Sequence, residues 1–201
     1  MPEGDTVYLA AKRMTAALSG QRLTRGELRH PRLAEHDLSR LTVLGVHSVG
    51  KHLFTRFDNG RSLHTHFRMD GSWHLYRPGQ RWRRPDHQAR AILTTQERVA
   101  VGFLLHDMAL LATQDEHRLV RQLGPEPLNP DWEQKTATIA AQRLREQPDV
   151  EVGIALLDQR IMAGVGNLYM TEMCFLLGVA PWAPMREVDP DAVVALARRL
   201  L

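Results

Sequence analysis

Residues 124–130, Gly-Pro-Glu-Pro-Leu-Asn-Pro, divide the 201-residue chain into two parts with different periodicities. Three prolines in seven residues exclude a strand or a helix interior, because each removes a backbone donor and fixes φ. Before the break, short apolar runs lie at 41–49, 52–57, 61–67, 72–76, 89–95 and 98–105, separated by turn signals such as Asp58-Asn59-Gly60. Leu63, Thr65 and Phe67 alternate with His64, His66 and Arg68, the pattern of a half-buried strand. A basic loop, 77–88, separates two of the runs. One helix, 5–18, precedes them, with Asp5 or Thr6 as its cap and Gly20 as its stop. After the break the pattern is helical, over 131–146, 151–158, 167–177 and 190–201. The expected class is α+β. A helix and a β-sandwich or barrel occupy 1–125, and an all-α domain occupies 126–201.

Composition narrows what such a chain does. No apolar run approaches the roughly 18 residues that span a bilayer. The opening MPEGDT is too acidic and polar for a signal peptide. The single cysteine, Cys174, excludes an internal disulfide and any cysteine-rich zinc site within these residues, and fits a reducing cytoplasm. Charge is unevenly spread: residues 1–125 carry +7 and residues 126–201 carry −4. Arginine outnumbers lysine 23 to 3, so the basic half is either an attraction for a polyanion or a habit of surface composition.

Four places carry candidate chemistry. Initiator methionine is generally removed before proline, which would leave Pro2 with a free secondary amine beside the carboxylate of Glu3. An α-amino group titrates near 7.7–8.0, roughly, so a usable fraction is unprotonated at neutral pH. Such an amine attacks an aldehyde-like carbon and forms an iminium, which acidifies the neighbouring C–H; read alone, Pro2 is also an ordinary chain start. Gly50-Lys51 lies between two strand runs, where Lys51 holds a phosphate or merely faces water. His64 and His66 share a strand face, suited to a phosphate contact, a polar surface or, with further ligands, a metal. Gly164-Val165-Gly166-Asn167 feeds a helix start, where backbone N–H groups meet an anion or glycines simply permit an interhelical turn.

Together these marks resemble the formamidopyrimidine-DNA glycosylase / endonuclease VIII family, nearest in flavour to an actinobacterial second endonuclease VIII type. The resemblance runs through Pro2-Glu3-Gly4, Gly50-Lys51 and His66-Phe67-Arg68-Met69-Asp70-Gly71. It continues through Gln122-Leu123-Gly124-Pro125-Glu126, Leu157-Asp158-Gln159, Ala163-Gly164-Val165-Gly166-Asn167-Leu168-Tyr169 and Glu172. It implies a catalytic β-sandwich over 1–125 and a helix–two-turn–helix domain over 126–201, with DNA between them. It implies a base-excision-repair glycosylase and abasic-site lyase for oxidised bases, pyrimidines favoured, that nicks by β,δ-elimination. Pro2, Glu3 and Lys51 would be catalytic. Lys51, His66, Gly166 and Asn167 would grip phosphates, and Met69 beside Arg68 would fill the space of a flipped-out base.

The chain departs from the family pattern at Thr6, where relatives carry a carboxylate. The last expected helix is capped by Asp189 and opened by Pro190, and it reaches Leu201 without a glycine stop. The sequence therefore reads as ending before a C-terminal zinc finger. No cofactor is expected within it; zinc belongs to the missing region. Damaged DNA (duplex, bubble or single-stranded) is the expected partner of a monomeric, cytoplasmic, nucleoid-associated bacterial protein. The alternatives are a lesion-binding module without chemistry, and a sugar-phosphate binder, which the absence of a strand before the glycine turn disfavours.

Overall fold

The computed structural model describes residues 2–132 and 136–201. It contains helix α1 (Gly4–Leu18), then strands β1 (Arg25–Leu28), β2 (Val43–Val49), β3 (His52–Phe57), β4 (Arg61–His66), β5 (Ser72–Tyr76), β6 (Ala89–Thr94), β7 (Val99–Phe103) and β8 (Asp107–Ala112). Helices α2 (Glu116–Val120), α3 (Ala137–Arg145), α4 (Val152–Leu157), α5 (Asn167–Leu177) and α6 (Pro190–Leu200) follow. The strands form two antiparallel sheets, ordered β1-β6-β7-β5 and β2-β3-β4-β8, and α1 packs chiefly on β2. This is the expected α+β architecture. None of the described helices is long and apolar enough to cross a membrane.

Alternation explains the β half. Leu53, Phe57 and Leu63 point into a core that also takes Val7, Met14 and Leu18 from α1 and Ala91, Leu93 and Ala100 from the other sheet. Each of the larger side chains among these, fully buried, stabilises the fold by roughly 1.5–3 kcal/mol. The outer face of the first sheet holds a smaller cluster, Tyr76, Ile92, Val101 and Phe103, against which Trp82 of the basic loop packs edge-on, 5.9 Å between ring centres. The helical half closes around Trp132, Leu144, Leu156, Met173 and Val193.

Three local expectations change. α1 starts at Gly4, with Glu3 rather than Asp5 or Thr6 as its cap residue and no side-chain cap bond. Strands β1 and β8 and helix α2 arise where no element was expected. The helix expected over 131–146 is seen as α3 from Ala137, and its residues 133–135 lie outside the described residues. The Asp189 cap is present, accepting the Asp191 N–H with Pro190 in the first turn.

The segment joining the halves is fastened rather than loose. Gly124 N–H donates to the Gln159 carbonyl, and Ala163 N–H donates to the Pro125 carbonyl. A Cβ on Gly124 would lie 2.1 Å from the Arg160 oxygen, so only glycine allows this approach. Upstream, α2 is pinned to the sheet by Glu116, which is 6% exposed. Its carboxylate accepts from Arg56 Nη2 at 2.6 Å and from the Ser62 hydroxyl at 2.5 Å. The β half and the helical half therefore meet across a short, hydrogen-bonded junction.

Candidate functional site

Glu3 enters that junction from the β side. Its side chain is 1% exposed. The carboxylate accepts N–H bonds from Gly166 at 2.8 Å, Leu168 at 2.7 Å and Tyr169 at 3.4 Å. These are donors that a helix start leaves unpaired, and the helix dipole favours a negative charge there. The expected anion site before α5 is real, but its occupant is the chain's own carboxylate rather than an external phosphate. Glycine is required at 166, since a Cβ would sit 2.5 Å from Glu3 Cδ.

Gly4 and Gly164 fix the approach. Gly4 N–H donates to the Gly164 carbonyl at 2.9 Å, and a Cβ on Gly4 would fall 2.9 Å from Gly164 Cα. Gly164 has φ +100°, a conformation that favours glycine. The loop is clamped from behind by Gln159. Its Oε1 accepts Gly164 N–H at 3.0 Å, and its Nε2 donates to the Val165 carbonyl at 2.7 Å. Pro2 is thereby held, part-buried, at the seam of the two halves.

The β2–β3 turn closes the same seam. Gly50 has φ +56°, and a Cβ built on it would lie 3.3 Å from Ala163 Cβ and 3.5 Å from Gly164 N. Lys51 follows it. Burial draws its pKa below the usual lysine value, and the negative charge of Glu3 opposes that shift. Pro2, Glu3, Lys51 and Gly166 are thus brought together from three regions of the sequence.

The histidines form one cluster on the outer face of the second sheet. His52 Nδ1 and His64 Nε2 are 2.9 Å apart, and the rings of His52 and His66 meet edge to face at 5.1 Å. Burial, reinforced by the charge of His52, lowers the pKa of His64 and of His66 to about 4. The rings are neutral at neutral pH. His66 Nδ1 accepts the Arg68 N–H at 3.1 Å, which leaves the ring proton on Nε2 as a donor. Among the described residues no group of three or more His, Cys, Asp or Glu has the arrangement of a metal site.

Beyond His66 the chain turns tightly. Gly71 N–H donates to the Phe67 carbonyl at 2.8 Å. Arg68 adopts φ +53°, rare for a side-chain-bearing residue. Its guanidinium is tied to Asp107 of β8 at 2.7 Å. Met69 crowns the turn with 69% of its surface exposed, the reverse of core packing. Asn167 opens α5 and is also exposed, beside the Glu3 cradle. Thr6 Oγ lies 3.2 Å from the Asp5 carboxylate. The pKa of Tyr169 is raised to about 12 by burial and by the facing Asp5 carboxylate.

Sequence reasoning missed Gln159, Asp107 and the Asp5–Tyr169 pair as parts of this arrangement. Gln159 stood within a quoted motif, but its two loop bonds depend on the fold. Asp107 sits on the unforeseen β8, opposite His66 in register. Chemically, the seam offers a buried carboxylate, a part-buried lysine and the Pro2 nitrogen, an amine once Met1 is removed, while the Phe67–Gly71 turn carries an exposed apolar side chain.

The family models for the formamidopyrimidine-DNA glycosylase N-terminal domain and the formamidopyrimidine-DNA glycosylase H2TH domain match residues 1–121 and 123–201. The chain is 50% identical to the probable endonuclease 8 2 of Streptomyces coelicolor, covering 100% of this chain and 73% of that one. It is 44% identical to the DNA-(apurinic or apyrimidinic site) lyase Nei2 of Mycolicibacterium smegmatis, with 100% and 77% covered. The fold superposes on the formamidopyrimidine-DNA glycosylase of Lactococcus lactis, solved non-covalently bound to DNA containing an abasic site. That match has a TM-score of 0.78 at 20% identity and covers 98% of this chain and 76% of the other.

Proposed function

Because the chain belongs to the formamidopyrimidine-DNA glycosylase family, we propose that it is a bifunctional DNA glycosylase and abasic-site lyase of base excision repair, with Pro2 as nucleophile. The observation that carries the reading is the seating of the N-terminus. Glu3 and Gly4 are locked onto the Gly164–Tyr169 segment, and Lys51 lies within reach of the Glu3 charge, which supports a reading in which Pro2, the neighbour of Glu3, works at this seam.

In the proposed sequence the Pro2 nitrogen bonds to C1′ of a flipped nucleotide as the C1′–base bond breaks. Flipping is needed because the stacked duplex hides that bond. The sugar ring then opens as C1′–O4′ breaks and O4′ takes up a proton, and the resulting iminium acidifies the C2′ proton. Its loss expels the 3′ phosphate, and a second elimination expels the 5′ phosphate. The amine itself supplies the electron sink, so these steps draw on no cofactor in this chain. Glu3 transfers protons at the sugar. Lys51, His66 and Asn167 hold the strand, Gly166 serves the site by giving its N–H to Glu3 rather than to a phosphate, and Met69 with Arg68 fills the vacated stack. The partner is damaged DNA, bound by a monomer. The preference for oxidised pyrimidines rests on the identity to the endonuclease 8 relatives.

Borohydride trapping on abasic-site DNA at low salt, with mass mapping of the adduct, tests the reading. The expected result is an adduct on Pro2 that Pro2→Gly sharply reduces while the fold persists. Undiminished capture by the variant would remove Pro2 from the mechanism.

A further inference from the structure

The motif Gln122-Leu123-Gly124-Pro125-Glu126 fastens the backbone between the halves, and it ends in a part-buried carboxylate that, among the described residues, has one side-chain hydrogen-bond partner. Glu126 Oε1 accepts the N–H of Gly50 at 3.0 Å. Gly50 is the residue whose left-handed backbone starts the turn carrying Lys51. The bond therefore runs from the segment between the halves to the turn that closes the catalytic seam. We propose that Glu126 is a positioning residue, which through Gly50 sets where Lys51 meets the DNA. This deepens the proposed function and rests on it.

Two observations support the assignment. First, the geometry leaves the turn little freedom elsewhere. On its other side Gly50 abuts Ala163, Leu123 and Gly164, so a change in the Glu126 bond is transmitted to the seam. Second, burial lifts the Glu126 pKa to about 7, with only the Gly50 N–H opposing the shift. A carboxylate that titrates near neutrality changes the strength of its bond in the working range, since an ionised acceptor bonds about twice as strongly as a neutral one. Among the described residues, the other titratable or charged groups on this side are Tyr8 and Lys12 of α1 and His47 of β2, which line a cavity of about 500 Å³ with Glu126. From the helical half, Arg198 of α6 donates to the Pro127 carbonyl. His47 is held below its ordinary value by burial and by the charge of Arg56, and it is paired with Arg56 and Glu116 rather than with Glu126.

The test compares the chain with its Glu126→Gln variant, which mimics the protonated acid. Abasic-site DNA capture is measured for both between about pH 5.5 and 8.5. Titration of the Pro2 amine and of Lys51 is common to both proteins and cancels in the ratio. The expected ratio of wild type to variant is near one at the acid end and rises through about pH 7 to a plateau of about three- to tenfold. In parallel, the Gly50 amide resonance should titrate near pH 7 in the wild type and not in the variant. A ratio that is flat with pH, or a Gly50 amide that does not titrate, would overturn the positioning role while capture itself stands. Absence of capture by the wild type at every pH would instead overturn the catalytic reading, and the positioning role with it.

Discussion

Single residues in this molecule carry both structure and chemistry, and Glu3 is the clearest case. Its carboxylate ends three backbone N–H groups at the start of α5. In Glu3→Ala those donors stay buried without an acceptor, which costs about 1–3 kcal/mol; denaturant unfolding should show a loss of that size. Glu3→Gln keeps an oxygen in place and should lose less stability. In the same variant base removal should slow much more than nicking of a ready-made abasic site, measured on the two substrates side by side. Equal losses would count against proton transfer by Glu3. Asn167, exposed at the same helix start, should behave differently. Asn167→Ala is expected to weaken DNA binding by a similar factor whatever the lesion, as a phosphate contact requires. The sequence told which residues to watch, because amine, carboxylate and glycine turn are chemically distinctive. It did not tell that Glu3 fills the glycine turn, because that pairing spans 163 residues and depends on the whole fold.

At the scale of elements, turns and short strands decide where the site residues point. The Phe67–Gly71 turn presents Met69 because Gly71 lets its own N–H reach back to the Phe67 carbonyl. A Cβ there would lie 2.5 Å from that oxygen. Gly71→Ala should therefore open the turn. DNA with a flipped base should lose affinity while abasic-site capture at saturating DNA is largely kept; parallel loss of both would place Met69 elsewhere in the mechanism. The Arg68–Asp107 pair makes the same turn depend on β8. Six strands were legible from short apolar runs and α1 from its apolar helical face and glycine stop, and α5 was expected at the range it occupies. β1 was not, being four residues long with one exposed and one half-buried position. β8 was hidden for a different reason: Asp107-Met108-Ala109-Leu110-Leu111-Ala112 alternates too weakly to separate a strand from a helix, and its pairing with β4 decides the matter. α2 is only five residues and owes its place to the buried Glu116 bonds.

For the whole molecule, buried titratable groups set opposing demands on pH. His64 and His66 have folded pKa values near 4, below the unfolded histidine value of about 6.5. Their contribution to stability is complete above about 6.5 and is lost as pH falls toward 4. Glu116 acts in the same sense at lower pH. Burial raises its pKa, but the Arg56 and Ser62 bonds outweigh that and leave it lowered, so its contribution is present above the unfolded value and lost on acidification. Glu126 acts in reverse. Its folded pKa of about 7 exceeds the unfolded one, so its contribution is present in acid and lost as pH rises through 7. The melting temperature should fall between about pH 6.5 and 4, and His64→Gln should flatten that limb. On the alkaline side, Glu126→Gln should melt higher than the wild type, with the gap closing below about pH 5. A wild-type curve that both variants follow unchanged would mean that these groups do not link folding to protons.

The seating of Glu3 on Gly166, Leu168 and Tyr169 also imposes an order on manufacture. Glu3 leaves the ribosome well before its cradle, which is about 160 residues behind it. At a synthesis rate of roughly 5–20 residues per second, the interval is about 8–30 seconds. Throughout that time a nascent chain carries Pro2, the proposed nucleophile, without the loop that seats it. On the proposed mechanism, an unfinished copy would be inert toward the genome, and competence would arrive only once the helical half has been made.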